Sequence, residues 1–437
     1  MLRTVLLLLL LAGAGARGDG GLAAIVAGEG PTSALSGLQI SLLEGGVPGE
    51  AFALGFAQRG PDGAVPLRRD HRVRIASISK LFVAVGVMRL VEQGAVDLDA
   101  DVSERLGFRL RNPAFPDVPI TARQLLSHTS SIRDGAAYFI PAGQGRMEDF
   151  FTAGTALWDE GAHFATGPGR APGAFFVYSN LNFGILATLI ERASGERFDR
   201  FMAREVLAPM GLEARFDPCA IPAAQRAAAF RKRRPGGAWD PDGPWLAQVD
   251  GGTPRCFYGM EEIASADAFL AAYEPGTNAT LFSPQGGLRA SADDLLVLLR
   301  MLVDGGRVAD RRILSEASVA EMLAPAWTLG VDGADGLSAG EAEPGGPTEG
   351  LMTSYGLSVH RIDMRAWGFE TGPAVLVGHL GEAYGVLSHA LVDPVTGDGI
   401  ATIITGTADD PARAPPGTSP LYRVEEAIVR WWLDRAE

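Results

Sequence analysis

"SISKLFVAVGVMRLVEQG", residues 77–94, is the stretch on which the reading turns. Its apolar residues recur at helical spacing, and Gly94 stands where a helix can close in the left-handed conformation. The spacing predicts one helix of about 17 residues with Ser77 at its N-terminal end. Residues three apart on a helix share a face, so Ser77 and Lys80 are neighbours. Lys80 is one of two lysines in 437 residues; the other is Lys232, and 36 arginines fill the cationic role. A serine hydroxyl is a weak nucleophile at neutral pH and needs a base beside it. Lysine can be that base when burial or a nearby charge lowers its pKa, whereas arginine is effectively never deprotonated. The plain alternative is a lysine on a solvated face. The neighbours "LFVAVGVM", apolar nearly all round, suit a buried helix instead. The helix N-terminus also favours negative charge developing at Ser77.

Two further segments supply polar groups of the right kind. "FFVYSNLNFG" (175–184) sets Tyr178 and Asn180 in the run-in to a helix. A phenol can take or relay a proton, and an amide can orient both the lysine and a substrate carbonyl. "LVGHLGEAYG" (376–385) puts His379 and Gly381 near a strand end. Glycine there lets a strand edge come close to a ligand.

Around these segments, "LSGLQISLLEGG" (35–46) and "EAFALGFAQRG" (50–60) read as a hairpin. Thr121 and Gln124 fit a capping box, as do Ser291 and Asp294. Gly195 closes the helical run 181–195, and a further helix spans 198–211. Residues 330–350 are acidic and poor in apolar side chains, the pattern of a mobile surface loop. Strands return at 354–363, 374–381, 385–394 and 399–406, before an amphipathic final helix. The expectation is an α+β fold, with an antiparallel sheet built from both chain ends and flanked by helices. Residues 22–115 and 285–437 would form the sheet domain, and 116–284 a mainly helical inserted region.

A formal charge of −14 argues against nucleic acid or an anionic membrane surface as partner. The basic run "RKRR" (231–234) reads as a solvated loop. At the N-terminus, Arg3, the apolar run from Val5 to Ala12 and the small residues Ala14-Gly15-Ala16 fit a secretory signal peptide over 1–16. The apolar run is too short to span a bilayer, so no membrane span is expected in the mature chain and the location is periplasmic or secreted. In that compartment Cys219 and Cys256 are either bonded or two buried thiols. The six histidines are scattered, and neither a metal nor another cofactor is expected. His128 reads as a structural residue at a helix end.

The order S-I-S-K, then Y-S-N, then H-L-G resembles the serine β-lactamase and penicillin-binding protein superfamily, in the branch of class C β-lactamases, esterases and D-aminopeptidases. "ITARQLLSHTSSI" (120–132) and "SPQGGLRASADDLLVLLRMLVDGG" (283–306) are similar to it too. The resemblance runs from about residue 35 to the C-terminus. It implies a β-lactamase/transpeptidase-like fold, Ser77 as the acylated nucleophile, and Lys80 and Tyr178 as candidates for the principal base. It further implies Asn180, His379, Gly381 and Glu382 as substrate-binding residues. The backbone N–H groups of Ser77 and Glu382 would form the oxyanion hole. Three departures stand out. The third motif is H-L-G where the β-lactamases and transpeptidases carry K-T-G. Ser131 replaces the glycine of the related "HTSG" run. The amphipathic helix that leads many relatives is weak or missing.

The functional expectation is an exported serine hydrolase acting through an acyl-enzyme on a small ester or amide, with esters favoured. A D-amino-acid peptidase or amidase, and a β-lactamase or DD-peptidase, are the enzymatic alternatives. A ligand-binding protein or an acylation sensor is the alternative of another class.

Overall fold

The computed structural model describes residues 19–29, 32–60, 63–233, 239–252, 256–257, 265–340, 348–408 and 418–435. The expected signal peptide lies outside them. Three strands come from the N-terminal part: β1 (Gly37–Glu44), β2 (Val47–Gly60) and β3 (Gly63–Pro66). Six more come from the C-terminal part: β4 (Trp327–Thr328), β5 (Ser354–Tyr355), β6 (His360–Asp363), β7 (Val375–Ala383), β8 (Val386–Val392) and β9 (Gly399–Ile404). They form a single nine-stranded sheet in the order β4-β5-β6-β7-β8-β9-β1-β2-β3. Every pairing in it is antiparallel. The two chain ends meet where β1 pairs with β9, Leu38 opposite Ile404 and Leu43 opposite Gly399.

Strand β1 is buried on both faces, and its alternation sorts the two layers. Leu38, Ile40 and Leu42 point toward helices α1 (Asp19–Ala27) and the terminal helix (Arg423–Leu433), whose Leu22, Ile428, Val429 and Trp432 share their core. Gln39 and Ser41 point the other way. Gln39 accepts from the Ala292 N–H, and Ser41 donates to Asp293 at the start of the helix Ala292–Val303. The leading helix, expected to be weak or missing, is present as α1 and is only weakly amphipathic. Its sequence, "DGGLAAIVA", has little periodicity, and it is held by packing: Gly21 lies so close to Trp431 that an added Cβ would sit 3.1 Å from the ring.

Behind the sheet, α2 (Ser79–Glu92) runs through the main core, with every residue from Ser79 to Met88 buried. The expected single helix is in two parts, because Ala76–Ile78 form a 3-10 turn before α2 begins. Helix α3 (Leu181–Ser194) packs beside α2 and ends at Gly195 in the left-handed conformation. Both expected capping boxes are formed, at Thr121 with Gln124 and at Ser291 with Asp294.

Two readings are corrected. Residues 229–232 form a strand, not a solvated loop; Arg231 and Lys232 lie beside Trp239 and Trp245 respectively. Of the stretch 330–350, residues 331–334 are exposed loop as expected, but the described residues that follow pack back against the body of the protein. Phe176 donates to the Asp335 carbonyl and accepts from the Leu337 N–H, while Ser338, Ala339 and Thr348 are buried. Cys219 and Cys256 are bonded, with Cα atoms 5.3 Å apart. No helix among the described residues is long and apolar enough to cross a membrane.

Candidate active site

Ser77 sits in the 3-10 turn between β-type backbone at Val73–Arg74 and α2. In a 3-10 turn residues three apart eclipse one another, which brings Lys80 directly against Ser77. The preceding residue, Ala76, has φ +48°, in the left-handed region that a Cβ disfavours. Strain of this kind persists only where the surroundings over-determine it. Here Ser388 donates to the Ile75 carbonyl (2.9 Å) and Ser79 to the Ala76 carbonyl (2.7 Å), fixing both flanks of the turn.

The Lys80 side chain is fully buried. Its Nζ lies 2.8 Å from Ser77 Oγ, 2.8 Å from Asn180 Oδ1 and 2.9 Å from the Gln285 carbonyl. Two of these partners are obligate acceptors. A neutral amine can donate one hydrogen to each of them and keep its lone pair for the Ser77 hydroxyl proton. The nitrogen also lies 4.8 Å from the ring centre of Tyr178 and 5.5 Å from that of Phe183.

Asn180 is oriented from outside its own segment. Its Nδ2 donates to Asp134 Oδ2 (2.9 Å), which leaves Oδ1 facing Lys80. Asp134 also accepts from Ser179 Oγ (2.8 Å) and the Leu181 N–H (2.9 Å), satisfying an N-terminal donor of α3. His128 holds the same segment by accepting the Ser179 N–H (3.1 Å), and its ring lies 4.3 Å from that of Tyr178. Sequence reasoning missed Asp134, although it directly follows "HTSSIR". Ser131 in that run has φ +64°, in the left-handed region that favours glycine.

Strand β7 closes the opposite side. A Cβ on Gly381 would sit 2.5 Å from Ser388 Oγ, 2.7 Å from the Ile75 carbonyl and 3.1 Å from the Ser77 backbone nitrogen. Only glycine permits this approach. Ser77, Tyr178, Gly381 and Glu382 line one cleft of about 320 Å³, together with apolar groups such as Leu351 and Met352. Glu382 accepts a hydrogen bond from the Tyr422 hydroxyl (2.7 Å) at the mouth.

His379, like Lys80 and Asn180, is buried and is not among the groups lining the cleft. Nδ1 meets the Leu380 carbonyl, so it carries the hydrogen, and Nε2 accepts from the buried Tyr355 hydroxyl (2.9 Å). Burial above all, with the nearby His360 and Lys80 second, holds its pKa well below the usual histidine value. The ring is neutral and lies on the same face of β7 as Gly381, 6.4 Å from the centre of the Tyr178 ring. His128 and His360, also buried near Lys80, are shifted the same way for the same first reason. Tyr355 and His360 had no signal in the sequence that separated them from ordinary core residues. Among the described residues, the histidines form no group close enough to hold a metal ion.

The fold and this arrangement are those of the serine β-lactamase and penicillin-binding protein superfamily. The Beta-lactamase family model matches residues 15–419, and the chain belongs to that family. Among curated proteins it is 29% identical over 166 residues to the D-alanyl-D-alanine-carboxypeptidase/endopeptidase AmpH of Escherichia coli (strain K12), covering 36% of this chain and 40% of that protein. It is 32% identical over 169 residues to the esterase EstB of Burkholderia gladioli, covering 37% and 41%. The matched region thus spans about two-fifths of the length of each of these relatives. Among solved structures, the D-amino acid amidase of Ochrobactrum anthropi SV3 superposes with a TM-score of 0.57 at 21% identity, covering 92% of this chain and 95% of the other. That likeness is one of fold.

Proposed function

We propose that the protein is an exported serine hydrolase that is acylated on Ser77 and hydrolyses small esters. One observation carries the reading: Lys80 Nζ stands 2.8 Å from Ser77 Oγ while Asn180 and Gln285 present fixed acceptors to it. In the proposed reaction, neutral Lys80 takes the Ser77 proton as Oγ attacks the ester carbonyl. The oxyanion is held by the Ser77 and Glu382 N–H groups, each worth about 3 kcal/mol of transition-state stabilisation. The proton then passes to the leaving alkoxide through Lys80 or Tyr178. Water attacks the acyl-enzyme by the same route in reverse.

The cleft supports a neutral substrate. Its lining carries no lysine or arginine among the described residues, so a substrate carboxylate would meet no countercharge there. Neutral His379 in the third motif points the same way. A second reading, an amidase or peptidase acting on substrates with a free amine, is supported by Glu382 and Glu425 in the lining. Export is supported by the apolar N-terminal run and by the Cys219–Cys256 bond. The test is a panel of p-nitrophenyl esters, D-amino-acid anilides and nitrocefin, run beside Ser77→Ala. Turnover of esters that vanishes in the variant supports the proposal. Turnover of anilides or nitrocefin alone selects an alternative, and ester turnover surviving in Ser77→Ala rejects the site.

A further inference from the structure

His128 lies just past the helix Ala122–Leu126 and has φ +58°, in the left-handed region that histidine enters more readily than most side chains. It grips the chain on both sides of Tyr178. Its carbonyl accepts the Val177 N–H (2.9 Å), and its ring Nδ1 accepts the Ser179 N–H (3.1 Å). Between these two anchors the Tyr178 ring lies against the imidazole, with centres 4.3 Å apart and planes inclined by 30°. A backbone N–H can only donate, so Nδ1 is unprotonated and the ring hydrogen sits on Nε2. Asn182 agrees with that assignment. Its Oδ1 accepts from Ser130 Oγ (2.8 Å), which turns Nδ2 toward the same Nδ1 at 3.3 Å. The imidazole is fully buried, with Phe176 and Tyr355 edge-on to it at 5.9 and 5.2 Å. Burial above all keeps it neutral. Tyr178 lines the cleft with Ser77, and its ring centre is 4.8 Å from Lys80 Nζ.

We propose that His128 is a positioning residue for proton transfer, fixing the Tyr178 phenol against the Ser77–Lys80 pair by stacking on its ring and pinning the backbone on either side. This rests on the reading of Ser77 as nucleophile with Tyr178 sharing its proton. The imidazole combines two properties that the position needs. A phenylalanine would keep a ring against Tyr178 but leave the Ser179 N–H buried without its acceptor. An asparagine would keep a side-chain acceptor but give up the stack. Proton transfer depends on placement, and a displacement of about 1 Å can cost roughly a hundredfold in rate.

The test is a double-mutant cycle of His128→Asn with Tyr178→Phe, read as kcat and KM on p-nitrophenyl butyrate. Each single variant should lower kcat by roughly tenfold to a hundredfold with KM little changed. The double variant should be no slower than Tyr178→Phe, because no phenol hydroxyl remains to be positioned. A merely structural histidine would slow both backgrounds alike. An additive cycle, or a Tyr178→Phe enzyme as fast as wild type, overturns the proposal. Fluorophosphonate labelling of Ser77 is followed in wild type alongside. Its absence rejects the nucleophile on which the proposal rests, whereas labelling with an additive cycle rejects the role of His128 alone. A further measurement needs no variant to fold: ring-nitrogen NMR of His128 in the wild-type protein. A hydrogen on Nε2 with Nδ1 hydrogen-bonded supports the grip on Ser179, and a hydrogen on Nδ1 overturns it.

Discussion

Lys80 Nζ stands 2.8 Å from Ser77 Oγ in a pocket that excludes solvent from the lysine altogether. The distance suits proton transfer, and the burial leaves no room for a larger cation. Lys80→Arg is therefore expected to be nearly as damaging as Lys80→Ala, with kcat/KM down by roughly a thousandfold or more. A charge-only role would let arginine restore much of the rate. Steady-state kinetics that place Lys80→Arg within tenfold of wild type would show that proton removal is not its task.

Gly381→Ala tests the seam between β7 and the nucleophile turn. The added Cβ meets Ser388, the Ile75 carbonyl and the Ser77 nitrogen at 2.5, 2.7 and 3.1 Å, and two of those atoms are backbone. The strand must move away from Ser77, which displaces the proposed oxyanion donors. The expected loss is roughly a hundredfold in kcat with little change in KM. An unchanged kcat in a folded variant would mean that the seam has no bearing on the reaction.

Asp134→Asn separates positioning from chemistry. The substituted amide can present a donor to Asn180 Nδ2, which releases the Asn180 side chain to turn its nitrogen toward Lys80. A tenfold to hundredfold fall in kcat/KM is expected, about 1.5–3 kcal/mol for a charged hydrogen bond. Asn180→Ala should add little on top of it. Full additivity in the double-mutant cycle would separate the two residues.

Much of this arrangement was legible because its pieces are local. Ser77 and Lys80 are one turn apart, and capping boxes need only four residues, as at Thr121 and Ser291. Asp134 was not legible, since it reaches Asn180 from 46 positions away in sequence. The sense of His379 was also hidden. Alternation keeps His379 on the face of Gly381, toward Ser77 and Tyr178, but a motif does not show that its ring is fully buried there. Whether helix α1 is weak or missing stayed open because "DGGLAAIVA" offers little helical periodicity; Leu22 and Gly21 acquire meaning only against the terminal helix. The acidic stretch after Leu329 was read by composition, which cannot see that Phe176 supplies backbone partners for it.

The histidines set an expectation for pH. His128, His360 and His379 all have pKa values depressed first by burial. They stay neutral as pH falls through the ordinary value of 6.5, so the kcat/KM profile of a neutral ester should show no histidine step between about pH 5 and 8. Their depressed values stabilise the fold above pH 6.5, and that contribution is lost as pH falls below it, because the unfolded chain then binds the protons. His379→Lys places a second ammonium near Lys80 and should move the rising limb of kcat/KM to lower pH by like-charge repulsion. Paired pH–rate profiles, with circular dichroism to confirm folding, check this. An upward-moving limb would contradict the electrostatic link between the two positions.

The central claim is that Ser77 becomes acylated, and intact-mass spectrometry with peptide mapping tests it most directly. Wild type treated with a fluorophosphonate, and separately quenched during ester turnover, should carry one adduct on the peptide containing Ser77. Ser77→Ala should carry none and should turn over no ester. An adduct mapped to another residue, or turnover persisting in Ser77→Ala, would contradict the account.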